Sequence, residues 1–165
     1  QERKEYVKRI RKICDVFAQH NMYGLLETHP NTLTDTLPAT IELLEEVNHP
    51  NLKINLDFLH IWESGADPID SFHQLKPWTL HYHFKNISSA NYLHVFEPNN
   101  VYAAAGSRIG MVPLFEGIVN YDEIIQEVRD TNLFASLEWF GHNSKEILKE
   151  EMKVLISRNL EVVTS

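Results

Sequence analysis

Apolar and polar positions along this chain follow two rhythms. Tyr6, Ile10, Ile13 and Phe17 recur at helical spacing and predict an amphipathic helix over about residues 2–20. A short strand, Gly24-Leu-Leu-Glu-Thr-His29, comes next. Thr36 or Asp35, with Pro38 close behind, opens a second helix whose apolar face is Leu37, Ile41, Leu44 and Val47. Leu52 to Leu59 reads as a second strand, and Asp67-Pro68 as the capped start of a short helix to about Leu75. Thr79 to Lys85 is a third strand. Asn120, with Glu123 as its capping-box partner, starts a helix with Tyr121, Ile124, Ile125 and Val128 on one face. Phe134 to Phe140 is a fourth strand, and Asn143 and Glu146 cap a last helix to about Ser157.

Every strand is followed by a helix, the arrangement of parallel strands covered by helices. Four βα units suit half of an eight-fold barrel or a small open sheet. No GxGxxG or Walker-type loop follows any strand, which counts against nucleotide-binding sheets. The 34 residues from Asn86 to Val119 form an unusually long connection. Loops this long inside compact domains are functional covers or disordered segments. With Tyr92, His94, Phe96, Tyr102, Arg108 and Phe115, this one is expected to be an ordered cover over a pocket.

Residues two apart on a strand share a face. Glu27 with His29, Asn55 with Asp57, His81 with His83 and Lys85, and Ser136 with Glu138 therefore pair up near the C-terminal ends of the four strands. In parallel α/β folds sites are built at that end. Each residue alone reads as a cap, an ion-pair partner or a satisfied polar group, and the signal is the coincidence of four strands. Three clustered carboxylates would raise one another's pKa unless a cation joined them. Oxygen donors with one imidazole suit Mn²⁺ first, with Mg²⁺, Co²⁺ or Zn²⁺ as alternatives. Around the ligands Glu27, Asp57, His83 and Glu138 stand His29, His60 and Lys85. A neutral imidazole there could take an α-proton from a polarised carbonyl compound. Lys85 could stabilise an enolate oxygen or hold a carboxylate, or simply pair with Glu27 or Glu138. His20, His49 and His73 fall on helices or their ends as surface residues, and Tyr82, Phe84 and Trp139 are expected to pack under helices.

Composition narrows the classes. The 165 residues suffice for one domain, and 43% apolar with 23% charged residues is globular composition. The formal net charge is −8, and six basic residues crowd the first twelve positions. That leaves nine basic against 21 acidic residues in the remaining 153, which opposes nucleic-acid binding. The basic start reads as the solvated face of the first helix, and no membrane partner is expected. The single cysteine, Cys14, excludes an internal disulfide and fits a cytoplasmic protein. The chain opens on Gln and on residues that already look helical, so a preceding segment is expected.

The motifs Leu26-Glu-Thr-His29, Asn55-Leu-Asp-Phe-Leu-His60, His81-Tyr-His-Phe-Lys-Asn86 and Ser136-Leu-Glu-Trp139 resemble the C-terminal half of the xylose-isomerase-like TIM barrels. With Tyr92-Leu-His-Val-Phe-Glu-Pro-Asn-Asn100 included, the whole chain is similar to the bacterial 3-dehydroshikimate dehydratases of petrobactin, a siderophore. The resemblance implies an α/β fold, a (β/α)8 barrel of which residues 1–165 supply strands 5–8, within a single domain. It implies a divalent metal on Glu27, Asp57, His83 and Glu138, with His29 as base, Lys85 as electrophilic partner, and His60, Tyr102 and Lys85 contacting substrate. The implied reaction converts 3-dehydroshikimate to protocatechuate by α-proton abstraction and loss of water. Further substrate contacts would come from the absent half of the barrel, and a homodimer is a second way to close it. A metal-dependent sugar isomerase or epimerase is the nearest rival, with Glu27 and Glu138 as paired bases. A DNA-repair nuclease is more distant, and a non-catalytic half-barrel module is the alternative outside enzymes.

Overall fold

The computed structural model describes residues 2–163, with side chains described to residue 158. The chain forms two compact units, one ending at His83 and one beginning at Phe84.

The first unit opens with α1 (Glu2–Gln19), then β1 (Gly24–Glu27), α2 (Leu37–Val47), β2 (Leu52–Asp57), α3 (Phe58–Glu63), α4 (Pro68–Leu75) and β3 (Thr79–Phe84), which runs to the boundary. β1 lies parallel to β2 with Gly24 opposite Leu52 and Glu27 opposite Asn55. β2 lies parallel to β3 with Asn55 opposite His81 and Asp57 opposite His83, after a register irregularity at Ile54/Asn55. Leu52, Ile54 and Leu56 share one face of β2 and are buried, with Leu43, Leu44 and Val47 of α2 also in the core. Phe58, Phe72 and Tyr82 form an aromatic cluster with ring centroids 5.7 and 6.3 Å from Tyr82. Leu56 stands opposite Tyr82 in the register, so the α2 side chains and the aromatic cluster cover the same face of these parallel strands.

Caps set the helix starts. Thr36 accepts from the Ala39 N–H, and Asp67 accepts from the N–H groups of Ile69 and Asp70 with Pro68 at the first helical position. Arg3 reaches Glu42 and Glu46, and Arg11 reaches the carbonyls of Glu46 and Val47, tying α1 to the end of α2. A Cβ on Gly24 would come within 2.6 Å of the Phe17 ring, so only glycine lets that ring close over the start of β1.

Several expected boundaries move. The buried residues of α1 are Val7 and Cys14, whereas Tyr6 and Ile13 are exposed. The stripes 6-10-13-17 and 7-10-14-17 both have helical spacing, so period alone could not choose between them. β1 stops at Glu27 because Thr28 turns its hydroxyl to Asp57, accepting from the Asp57 N–H at 2.9 Å and donating to its C=O at 3.2 Å. β2 stops at Asp57, and the apolar Phe58-Leu59 expected to continue it instead begin α3.

The second unit holds the two-residue strands β4 (Asn86–Ile87) and β5 (Met111–Val112), paired antiparallel, α5 (Pro98–Val101) between them, then α6 (Tyr121–Val128), β6 (Phe134–Leu137) and α7 (Ser144–Val163). The expected α6 face is buried in full, Tyr121, Ile124, Ile125 and Val128, but Asn120 makes no side-chain cap bond. β6 is shorter than expected, and α7 continues past Ser157. Just past β6, the Glu138 N–H donates to the Phe84 carbonyl at 2.9 Å.

The long connection is ordered by side chains bonding to backbone. Asn86 Nδ2 donates to the carbonyls of Leu114 and Val119, and its Oδ1 accepts from the Ile87 and Val119 N–H groups. A Cβ on Gly117 would lie 2.2 Å from that amide, so the close approach requires glycine. The Arg108 guanidinium donates to four carbonyls, of Asn100, Ser107, Val101 and Ala103. Among the described residues no helix is long and apolar enough to cross a membrane.

Candidate metal centre

In the first unit the three strand ends bring Glu27, Asp57 and His83 together, each offering a ligand atom within 4.8 Å of the others. Glu27 and Asp57 are the last residues of β1 and β2, and Asp57 stands opposite His83 in the β2–β3 register. The Nδ1 of His83 lies 2.7 Å from Oε1 of Glu27 and 3.9 Å from Oδ2 of Asp57. Asp57 is fully buried. Its Oδ1 accepts from the His60 N–H at 3.1 Å and caps α3, and its backbone is latched by Thr28. Two acidic side chains and an imidazole this close, one of them withdrawn from water, fit a divalent cation: the donors are mainly oxygen, and a cation offsets carboxylate repulsion.

Two further imidazoles lie beside this group. The sequence places His29 on the Glu27 face by strand alternation, but His29 has left the strand. Its N–H donates to Thr34 O at 3.3 Å, and its Nδ1 lies 3.0 Å from the Pro30 carbonyl. A carbonyl only accepts, so Nδ1 carries the proton and Nε2 the lone pair. The His60 ring, buried on α3, lies 4.5 Å from the His29 ring between centroids. Its Nδ1 donates to Glu63 Oε2 at 2.9 Å, and its Nε2 is 3.9 Å from Asp57 Oδ2.

In the second unit, Lys85 and Glu138 form a partly buried ion pair, Nζ to Oε2 at 2.7 Å. This is one of the two pairings the sequence allowed for Lys85. Nζ also lies 5.4 Å from the centre of the Phe96 ring. Tyr121 fixes the Lys85 backbone, accepting from its N–H at 3.2 Å and donating to its C=O at 2.8 Å. Tyr102, on the long connection after α5, is 82% exposed.

Glu63, Thr28 and the amide of Asn55 escaped the sequence reading as parts of this centre. Glu63 follows His60 by three residues, a spacing that signals contact only once a helix is known there. Asn55 shares the Asp57 face of β2, and nothing in its spacing signals the contact that it makes. Its Nδ2 lies 2.9 Å from His83 Nε2, and its Oδ1 is buried without a hydrogen-bond partner.

Residues 1–158 match the family model described as xylose isomerase-like TIM barrel. Across all 165 residues the chain is 85% identical to the 3-dehydroshikimate dehydratase of Bacillus anthracis and spans 59% of that relative's length. It superimposes with a TM-score of 0.94 on the crystal structure of the probable 3-DHS dehydratase AsbF involved in the petrobactin synthesis from Bacillus anthracis. There the identity is again 85%, and 94% of this chain and 57% of that chain are covered. A xylose isomerase domain protein from Planctomyces limnophilus shares the fold at a TM-score of 0.71 and 18% identity, over 98% of this chain and 53% of that chain.

Proposed function

The chain belongs to the xylose isomerase-like TIM barrel family, and on that premise we propose that it is part of a metal-dependent 3-dehydroshikimate dehydratase that forms protocatechuate for petrobactin, a catecholate siderophore. The observation that carries this reading is the 85% identity to the Bacillus anthracis dehydratase along the entire chain. The Glu27–Asp57–His83 cluster gives it chemical support. The chain spans 59% of that relative, so the activity is proposed for the whole protein, with the remaining barrel strands and further substrate contacts in the rest of it. Its proposed compartment is the cytoplasm, where a single buried thiol, Cys14, stays reduced.

Glu27, Asp57 and His83 would hold the metal, with Glu138 as a fourth ligand by the parity of its strand, and Mn²⁺ suits this donor set first. A bound divalent ion supplies Lewis acidity, making hydrogens beside a ketone more acidic. His29 then takes the proton at C4 of 3-dehydroshikimate, α to the C3 ketone, through Nε2. The donated Nδ1–H bond to Pro30 fixes that tautomer and steadies the imidazolium that forms. The Lys85 ammonium, held by Glu138, stabilises the oxyanion developing at C3 or binds the substrate carboxylate. His60 and Tyr102 contact the substrate. Loss of the C5 hydroxyl with a proton as water, and a proton shift from C6 to the C3 oxygen, leaves aromatic 3,4-dihydroxybenzoate. The ring gains aromaticity without net oxidation, so no redox cofactor enters.

The test is protocatechuate formation from 3-dehydroshikimate by the whole protein, followed by absorbance after chelation and again after Mn²⁺ is restored. Product that depends on metal, and its loss in His29→Ala with metal still bound, is the expected result. Metal binding without product, joined by turnover of a ketose, would replace this reading with a sugar isomerase or epimerase.

A further inference from the structure

Asn55 precedes Asp57 by two residues on the same face of β2 and meets the imidazole of His83 on the side away from the carboxylates. A side-chain amide nitrogen only donates, so the 2.9 Å contact from Nδ2 makes His83 Nε2 the acceptor. The ring proton is then on Nδ1, where it is donated to Glu27 at 2.7 Å. This tautomer holds the three side chains together but is the wrong one for a metal. Nδ1 is the nitrogen aimed at Glu27 and Asp57, and while it carries hydrogen it has no lone pair to give.

The other tautomer needs an acceptor at Nε2. Asn55 carries one on the same amide, since its Oδ1 is buried and unpaired. A half-turn of the amide brings Oδ1 to Nε2–H and frees the Nδ1 lone pair. The ring stays neutral throughout, its proton having moved from one nitrogen to the other. The half-turn exchanges one unpaired amide atom for another, so the amide's own pairing does not choose between the two orientations. The needs of the neighbouring centre therefore decide between them.

We propose that Asn55 is a positioning residue whose amide orientation sets the tautomer of His83, one orientation serving the metal-free cluster and the other presenting Nδ1 as a ligand. Asparagine is suited to this position because its amide offers a donor and an acceptor of equal reach, whereas aspartate accepts only and leucine does neither. The inference rests on the metal reading of Glu27, Asp57 and His83. Groups behind a metal-ligating histidine typically change metal affinity by about 10- to 100-fold when removed.

The test uses the whole protein with ¹⁵N-labelled histidine, Zn²⁺ as a diamagnetic probe, and the His83 signals assigned by their loss in His83→Gln. Expected are an Nδ1–H tautomer without metal and an Nε2–H tautomer with zinc. Asn55→Asp, which can only accept, is expected to show Nε2–H already without metal and to bind zinc at least as tightly as the parent. Asn55→Leu is expected to bind zinc about 10- to 100-fold more weakly by calorimetry, with its amide spectrum confirming the fold. An Nε2–H tautomer in the metal-free parent, or parental zinc affinity in Asn55→Leu, overturns the proposal and leaves the metal reading standing. A parent protein that takes up no divalent ion overturns both.

Discussion

Asp57 caps a helix with one carboxylate oxygen and turns the other toward the imidazoles of the candidate metal centre. Oδ1 accepts from the His60 N–H and caps α3, while Oδ2 lies 3.9 Å from both His83 Nδ1 and His60 Nε2. The two tasks can be separated, because asparagine caps a helix about as well as aspartate but brings no charge. Asp57→Asn is expected to change the urea unfolding free energy by less than about 1 kcal/mol while removing most divalent-metal binding. Asp57→Ala is expected to lose the cap as well, at about 0.5–2 kcal/mol. If Asp57→Asn unfolds the protein or binds Mn²⁺ like the parent, the division of labour between the two oxygens is wrong. Thr28 shows the same economy at the next residue along the site, since its one hydroxyl satisfies both the buried N–H and the C=O of Asp57.

Elements with punctuation at their ends were legible in the sequence. α4 begins where Asp67-Pro68 says it should, and α2 starts behind Thr36. The strands end with Glu27, Asp57 and His83 beside one another, because a period of two in parallel register leaves little freedom. The β2–α3 junction was not legible. Phe58 and Leu59 are apolar in either conformation, and a six-residue helix has no room for a periodic signal, so Glu63 stayed hidden behind it. The long connection announced order through its aromatic residues, but its latches are polar side chains acting on backbone, Asn86 on carbonyls 28 and 33 residues away and Arg108 on carbonyls one to eight residues away. Arg108, 10 residues past Pro98, shows no pattern in sequence, yet it holds four carbonyls. Its planar fork can face several acceptors at once, whereas a lysine ammonium cannot match that geometry. Arg108→Lys is therefore expected to behave as Arg108→Ala does, opening the segment around 98–109 to limited proteolysis several-fold faster than in the parent. Mass spectrometry of the fragments would locate the cuts. Parental resistance in Arg108→Lys would mean that charge alone organises the segment.

At the scale of the whole molecule the chain carries a net charge of −8, so every further negative charge is held against the field of the rest. Glu151 of α7 is where this is felt inside the protein. It is buried, and its carboxylate accepts from the Leu114 N–H at 2.7 Å. Burial pushes its pKa above the ordinary glutamate value, and the negative charge of Glu116 adds to the rise, while the Leu114 hydrogen bond works against it. Through the pH range between the ordinary value and the raised one, the folded chain therefore holds a proton that the unfolded chain has released. Stability from this group is present below the ordinary glutamate value and is lost as pH rises through the raised value, the reverse of a salt-bridged carboxylate. Glutamine keeps an oxygen for the Leu114 N–H and carries no charge. Glu151→Gln is thus expected to have a higher urea midpoint than the parent at pH 8, with the gap shrinking as pH falls to about 4.5, near the ordinary glutamate range. Comparing the two proteins at each pH cancels the titration of all other groups. A parent more stable than Glu151→Gln at pH 8 would mean that the hydrogen bond from Leu114 outweighs burial, and that the charged carboxylate is what holds α7 to the connection before α6.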